Sequence, residues 1–159
     1  MRDSAGLIRR ALPADAEHLT AIAQAAKRHW GYPAEWLAMW APALTFDAAQ
    51  LERLDVFVLE ENGVIAGFYA TVPGAPRWTL DHLWVAPVHI GRGLGRRLVA
   101  HALARARAAG ADGLDVEADP HAEPFYARLG ARRVGEIVAP APGAPDRRLP
   151  LLVLDEIAV

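Results

Sequence analysis

The alternating glycines Gly91, Gly93 and Gly95 are the feature that most constrains this chain. The aromatic and β-branched segment Leu83–Val85 precedes them and predicts a strand, and apolar residues at helical spacing begin at Leu94. Glycine lets a backbone turn sharply and approach a ligand closely, and a helix that begins there directs unpaired N–H groups towards that ligand. The segment therefore predicts an anion site, for a phosphate or pyrophosphate, although a plain tight turn would use the same glycines.

Two phosphate-binding classes fit this segment poorly. A P-loop needs Lys followed by Ser or Thr after its last glycine, where this chain has Arg96 and Arg97. A dinucleotide-binding fold needs G-x-G-x-x-G after an early strand, with an acidic residue about 20 positions later. Asp112 and Asp115 fall near that spacing, but the run here is G-x-G-x-G and lies past the middle of the chain.

Composition narrows the class of protein. The 159 residues predict a single domain over residues 1–159. A net charge of -2 argues against nucleic acid as the main partner, and the absence of cysteine excludes a thiol nucleophile or a zinc–thiolate site. The six histidines show no metal-ligand spacing.

No apolar run approaches the roughly 20 residues of a membrane span. The segment Met1–Gly6 lacks the apolar core of a signal peptide. A cytoplasmic location away from membranes is expected.

The hydrophobic pattern predicts an α/β chain with a mixed sheet and helices on both faces. Asn62-Gly63 predicts a tight hairpin, and Gly130 predicts the end of a helix. The predicted order is β-α-α-β-β-β-α-β-α-β-β. The predicted strands are 7–12, 56–60, 64–70, 78–85, 114–118, 132–138 and 149–154; the predicted helices begin near 13, 34, 94 and 123, and 46–54 is a further helical stretch.

Two motifs resemble those of the GNAT superfamily of N-acetyltransferases. Ile90–Gly95 resembles its pyrophosphate loop, Gln/Arg-x-x-Gly-x-Gly/Ala, with Ile90 in place of a polar residue. Phe125–Ala131 resembles the later stretch Asn-x-x-Ala-x-x-Phe-Tyr-x-x-x-Gly-Phe, with Ala131 where Phe is usual and the upstream Asn missing. The segment Leu80–Pro87 also resembles the corresponding segment of a small bacterial subfamily of these enzymes. The order of elements matches the GNAT fold over essentially the whole chain.

The resemblance implies acetyl-CoA as co-substrate, bound without a metal. It implies that the backbone of Leu83 and Val85 pairs with the pantetheine arm, that the Val85 N–H polarises the thioester, and that the Tyr126 phenol protonates the leaving thiolate. For Tyr126, packing of an aromatic helix residue is the plainer alternative. The full set of expected cofactor-binding residues is Leu83, Val85, Ile90, Gly91, Arg92, Gly93, Leu94, Gly95, Arg96, Phe125 and Tyr126.

The general base has several candidates. Asp81 and His82 lie on the fourth strand and alternate faces, so one of them should face the cleft. Asp115 and His121 are further candidates. Each of these residues has a structural alternative: the carboxylates could lie at edges or caps, and a histidine on an apolar strand is commonly a hydrogen-bonded core residue.

The acceptor pocket is expected between the early helices and the sheet, where aromatic residues concentrate. These aromatic residues could form a wall for a cation or an aromatic substrate, or could be helix packing. Glu35, Glu60 and Glu61 could attract an amine, or could be solvated surface. The aromatic residues concerned are His29, Trp30, Tyr32, Trp36 and Trp40.

The expected function is transfer of an acetyl group from acetyl-CoA to a primary amine of a small molecule or peptide, by direct attack. The alternative is a non-catalytic acyl-CoA-binding module with a sensing or scaffolding role. Neither expectation requires a nucleic acid or membrane partner, and both leave room for a homodimer.

Overall fold

The computed structural model describes residues 6–158. Most of the segment Met1–Gly6, in which no signal-peptide core is predicted, lies outside that range. The strands are β1 Leu7–Arg10, β2 Asp55–Glu61, β3 Val64–Val72, β4 Trp78–Val85, β5 Leu114–Glu117, β6 Arg132–Val138 and β7 Arg148–Leu154. The helices are α1 Ala16–His29, α2 Ala34–Trp40, α3 Ala48–Arg53, α4 Leu94–Ala108 and α5 Glu123–Leu129.

Within the described range, seven strands form one sheet in the order β1-β2-β3-β4-β5-β7-β6. β1–β2, β2–β3, β5–β7 and β6–β7 are antiparallel, whereas β4–β5 is parallel. The β4–β5 register consists of two pairs, Trp78 with Leu114 and Thr79 with Asp115. The predicted α/β fold with a mixed sheet is confirmed.

The described residues form two compact units. The first contains the residues up to 71 together with 82–99, and the second contains 72–81 and those from 100 onwards. In the first unit, apolar residues of α1, β2 and β3 form one core, which includes Leu19, Val58 and Phe68 at 0% exposure. In the second unit, the buried residues include Leu103, Ala106, Leu114 and Leu154.

Several local predictions are confirmed. The apolar residues that recur at helical spacing from Leu94 are buried on α4, with Leu94 at 4% exposure and Leu98 at 0%. Asn62 and Gly63 both have positive φ, 52° and 77°, as a type I′ hairpin turn requires. Gly130 ends α5 in the left-handed region at φ 104°, where an L side chain would be strained.

The predicted further helical stretch over 46–54 is a separate helix, α3, so three helices precede β2 where the predicted order has two. The 3-10 turn Ala41–Leu44 follows α2, and Asp47 then starts the separate helix α3. The Asp47 carboxylate accepts the backbone N–H of Gln50 at 2.8 Å, and the Gln50 side chain accepts that of Asp47 at 2.8 Å. This reciprocal capping box gives a six-residue helix its own start.

The first strand is shorter than predicted because Asp15 redirects the chain. β1 ends at Arg10, and the Asp15 carboxylate accepts the Leu12 N–H at 2.7 Å across a 3-10 turn. Arg9 donates to both Asp15 oxygens, at 2.8 and 3.3 Å, and also to Glu60 at 3.0 Å. The pKa of Asp15 lies below its usual value, chiefly because of the hydrogen bond from Arg9.

Candidate active site

The glycine loop leads directly into α4, as the sequence predicts. The 3-10 turn Pro87–His89 follows β4, and α4 begins at Leu94. Gly91 and Gly93 have φ of 85° and 78°, and a Cβ added to either would meet nothing within 4 Å. The loop backbone is therefore open on its outer side. The first hydrogen bond of the helix runs from Arg97 N to Gly93 O at 3.2 Å, so the amides before it precede the helix's own hydrogen-bond ladder, as at any helix start.

The arginines of this segment differ in what they contact. The Arg97 guanidinium donates to the carbonyl oxygen of Gly6 at 3.1 Å, so this side chain is committed to the protein. Arg96 is exposed in the first turn of α4. Ile90 is 49% exposed, in the position where the family pattern has a polar residue. Gly95 lies in the first turn of the helix.

Arg92 is bound by a buried carboxylate. Arg92 Nη2 donates to Glu61 Oε2 at 3.1 Å, and Arg92 Nη1 lies 2.9 Å from Glu61 Oε1. The second contact is electrostatic, because no hydrogen bond with an acceptable angle reaches Oε1. The Glu61 side chain is 8% exposed and that of Arg92 is 48% exposed. Glu61 is thus neither a solvated surface residue nor a charge presented to an amine; it holds the loop to the end of β2.

Gly67 allows β3 to approach β4 at the residues that precede the loop. A Cβ built on Gly67 would lie 2.8 Å from Trp84 O, 3.2 Å from Leu98 Cδ1 and 3.3 Å from Val85 Cα. Two of these neighbours are β4 backbone, which cannot move as a flexible side chain can. The strand that carries Val85 is therefore placed by the lack of a side chain at Gly67, a role that the apolar pattern of β3 does not reveal.

The two base candidates on β4 lie in different surroundings. Asp81 is exposed. His82 is half-buried, with its ring 5.1 Å from that of Phe46 in an edge-on arrangement. The Trp84 indole N–H donates to His82 Nδ1 at 3.0 Å, so the neutral imidazole carries its proton on Nε2. His82 could accept a proton at Nδ1 only after that bond breaks.

Tyr126 lies in the second unit, on α5 beside Phe125. Its side chain is 5% exposed, and the two rings are 5.1 Å apart. Burial, and secondarily the negative charge of Asp119, raise the pKa of Tyr126 well above its ordinary value. The phenol therefore remains protonated throughout the neutral range.

Asp119 occupies the position three residues before Ala122 and six before Phe125, where the motif has Asn. Its carboxylate accepts the His121 backbone N–H at 2.8 Å and lies 3.2 Å from His121 Nδ1. This Asx turn orients the His121 ring at the start of α5. The other acidic candidate, Asp115, is exposed on β5.

Three aromatic residues of the first unit, on α2 and in the loop before it, form one cluster. Tyr32 stacks on Trp36 at 5.6 Å and meets Trp40 edge-on at 4.8 Å, and Trp36 meets Trp40 edge-on at 5.8 Å. The cluster encloses a residue that the sequence reasoning missed, Lys27, whose Nζ lies 4.1 Å from the Trp40 ring centroid. The only sequence signal for an inward-facing Lys27 is its position on α1, four residues after the buried Ala23.

Among the described residues, no helix is long and apolar enough to cross a membrane. Over the same range, no group of three or more His, Asp or Glu side chains is arranged to hold a metal ion. The first unit contains the glycine loop, Leu83, Val85 and His82, and the second contains Asp81, Phe125 and Tyr126.

The sequence of residues 19–131 matches the Acetyltransferase (GNAT) family. Because the match covers most of the chain, the protein belongs to that family. Blasticidin-S acetyltransferase from Streptomyces morookaense is 38% identical over 108 residues, which cover 65% of this chain and 77% of that relative.

Two further proteins are similar. The L-methionine sulfoximine/L-methionine sulfone acetyltransferase of Salmonella typhimurium is 38% identical over 71 residues, 41% of this chain, and the match spans only 41% of that relative's length. The structure of YncA from Salmonella typhimurium, solved with its cofactor acetyl-CoA, matches with a TM-score of 0.68 and 26% identity. That match covers 97% of this chain and 96% of YncA.

Proposed function

We propose that this protein transfers the acetyl group of acetyl-CoA to a primary amine of a small molecule. The observation that carries the proposal is the open backbone of the loop at Gly91 and Gly93, which leads directly into the first turn of α4. Family membership and the acetyl-CoA bound to YncA support it. Small-molecule acceptors are favoured over peptide amines because both similar enzymes are named for small molecules.

The residues present fit a pyrophosphate. Backbone N–H groups of the loop and the first turn of α4 would hold it, with the positive end of the helix dipole behind them. Arg96 adds a positive charge in the same turn. Arg92 contributes by holding the loop, since leaving Glu61 would strand a buried carboxylate.

The backbone of β4 supplies the polarising group. Within the described range, the pairing of β4 with β5 ends at Thr79, so the amides of residues 80–85 form no pair in that register. We assign the pantetheine contacts to Leu83 and Val85, and the thioester contact to the Val85 N–H, as an oxyanion-type donor. Bound acetyl-CoA supplies a thioester carbonyl; the amine's N–C bond forms as the C–S bond breaks and the thiolate leaves.

Tyr126 and a base on β4 complete the proton transfers. Tyr126 gives its phenolic proton to the thiolate; burial raises the pKa of Tyr126, so the phenol carries that proton throughout the neutral range. Asp81 is the better candidate for the base, acting directly or through water, because the Nδ1 lone pair of His82 is engaged by Trp84. The base removes the proton that the attacking amine must lose.

The test is CoA release from acetyl-CoA in the presence of an amine panel that includes L-methionine sulfoximine, L-methionine sulfone and blasticidin S. The chain has no cysteine, so every thiol detected is CoA. Turnover that Gly93→Val abolishes supports the proposal. Tight CoA binding with no turnover of any amine would overturn it.

The pH profile of kcat/KM identifies the base. Asp81→Asn should remove or move the acidic limb after the titration of the amine itself is subtracted, whereas His82→Gln should leave that limb in place. If both variants keep the wild-type profile, the base is not on β4, and Asp115, His121 or direct attack by a neutral amine becomes the better account.

A further inference from the structure

Three aromatic rings of the first unit surround one ammonium group of the chain. Lys27 Nζ lies 4.1 Å from the ring centroid of Trp40, 5.0 Å from that of Tyr32 and 6.0 Å from that of Trp84. The rings come from α2, from the loop before it and from β4, while Lys27 comes from the last turn of α1. Distances within about 6 Å are those of cation–π attraction, so these rings form a cage that already binds a cation.

The occupied cage changes what the aromatic wall can recognise. An acceptor's own ammonium cannot enter while Lys27 is there, because two like charges would share one low-dielectric site. The rings instead hold the lysine charge in one place. Arg28 follows it in the same turn and adds a second positive charge at the end of α1.

The caged charge lies next to the strand expected to bind the thioester. Trp84, the β4 member of the cage, immediately precedes Val85. Its indole N–H also donates a hydrogen bond to His82 Nδ1, at 3.0 Å. Lys27 of α1, Trp40 of α2 and Trp84 of β4 thus meet where the acceptor pocket is expected, between the early helices and the sheet.

We infer that Lys27, held by Tyr32, Trp40 and Trp84, recognises an anionic group of the acceptor, so that the substrates are amines bearing a carboxylate close to the amino group. This inference rests on the proposed function, whose acceptor site it specifies. A carboxylate supplies an ammonium with lone pairs and negative charge together, which a ring face does not. A carboxamide of the same shape lacks the charge and is the matched non-substrate.

The experiment compares L-amino acids with their α-carboxamides, in wild type and in three variants. Lys27→Met removes the charge but keeps an unbranched side chain that packs against aromatic rings, and Lys27→Arg keeps the charge. Arg28→Met is the matched control, because it removes a neighbouring charge of the same helical turn that is exposed and outside the cage. Thermal unfolding establishes that each variant is folded before it is assayed.

Wild type, Lys27→Arg and Arg28→Met should prefer the acid to the amide. Lys27→Met should lose that preference through a KM for the acid raised roughly 10- to 100-fold, as expected for one charge-assisted hydrogen bond. Equal use of acid and amide by wild type overturns the inference, as does an unchanged preference in Lys27→Met or an equal loss in Arg28→Met.

Calorimetry with CoA-saturated protein separates this inference from the proposed function. If no amine is turned over, the proposed function fails, and binding of the acids then decides the inference alone. Acids that bind more tightly than amides, with a difference that depends on Lys27, still support the site. Acids that bind no better than amides, or equally well without Lys27, overturn it.

Discussion

The contact between Glu61 and Arg92 predicts an unequal response to removing either partner. Arg92→Gln leaves the 8%-exposed carboxylate of Glu61 without its cation, whereas Glu61→Gln leaves a guanidinium that is already 48% exposed and can turn to water. Stranding a fully buried charge costs about 3–5 kcal/mol, and breaking a surface pair costs about 0–1 kcal/mol. With one partner buried and one half-exposed, we expect Arg92→Gln to cost about 1–3 kcal/mol and Glu61→Gln about 1 kcal/mol or less.

Urea denaturation of the two single variants and the double variant tests this asymmetry. The double variant should be more stable than Arg92→Gln alone, because it no longer contains the stranded carboxylate. Equal m-values are needed for the comparison to report stability alone. A double variant less stable than Arg92→Gln, or a Glu61→Gln variant as unstable as Arg92→Gln, would refute the reasoning.

Three further predictions follow from single residues. Gly93→Val should abolish CoA binding measured by calorimetry while the chain stays folded, because valine is strained at φ 78° and its side chain would project into the open loop; normal binding would exclude the loop as the phosphate site. Tyr126→Phe should lower kcat by about 10²–10⁴-fold with little change in CoA affinity. The same variant should also lose less stability than wild type as the pH rises above about 10, the ordinary tyrosine pKa, because the unfolded phenol ionises there and the folded one, with its raised pKa, does not. Unchanged turnover would show that Tyr126 is a packing residue. Asp15→Asn should destabilise the fold by about 1–3 kcal/mol at neutral pH. The difference in the free energy of unfolding between wild type and variant should shrink as pH falls below about 4, because the lowered pKa of Asp15 keeps its native charge down to that range, where it is then neutralised. A difference that persists in acid would show that the charge is not responsible.

The sequence predicts those parts of the fold and the candidate site that depend on neighbouring residues. The start of α4 at Leu94 after the glycines, the positive φ at Asn62 and Gly63, and the end of α5 at Gly130 each follow from a few adjacent residues. Local backbone conformation determines these features, and glycine and asparagine are its clearest signals.

The features missed by sequence reasoning depend on residues far apart in the chain. Glu61 meets Arg92 across 31 positions, and the Lys27 ammonium meets the Trp84 ring although the two residues are 57 positions apart in the sequence. Nothing local distinguishes a carboxylate that will be buried by a distant arginine from one that stays in water. Pairing of that kind becomes visible only once the strands and helices are placed in space.

The hydrogen bond and ring contact of Trp84 give the protein an internal optical probe. Its indole N–H is bonded to His82 and its ring faces Lys27, so its emission responds to the polarity and charge beside β4. Trp40 lies closer still to the same ammonium, at 4.1 Å. An anion that draws the ammonium away from these rings should shift tryptophan fluorescence without any attached dye, and a Trp30→Phe variant would reduce background from an exposed tryptophan outside this contact.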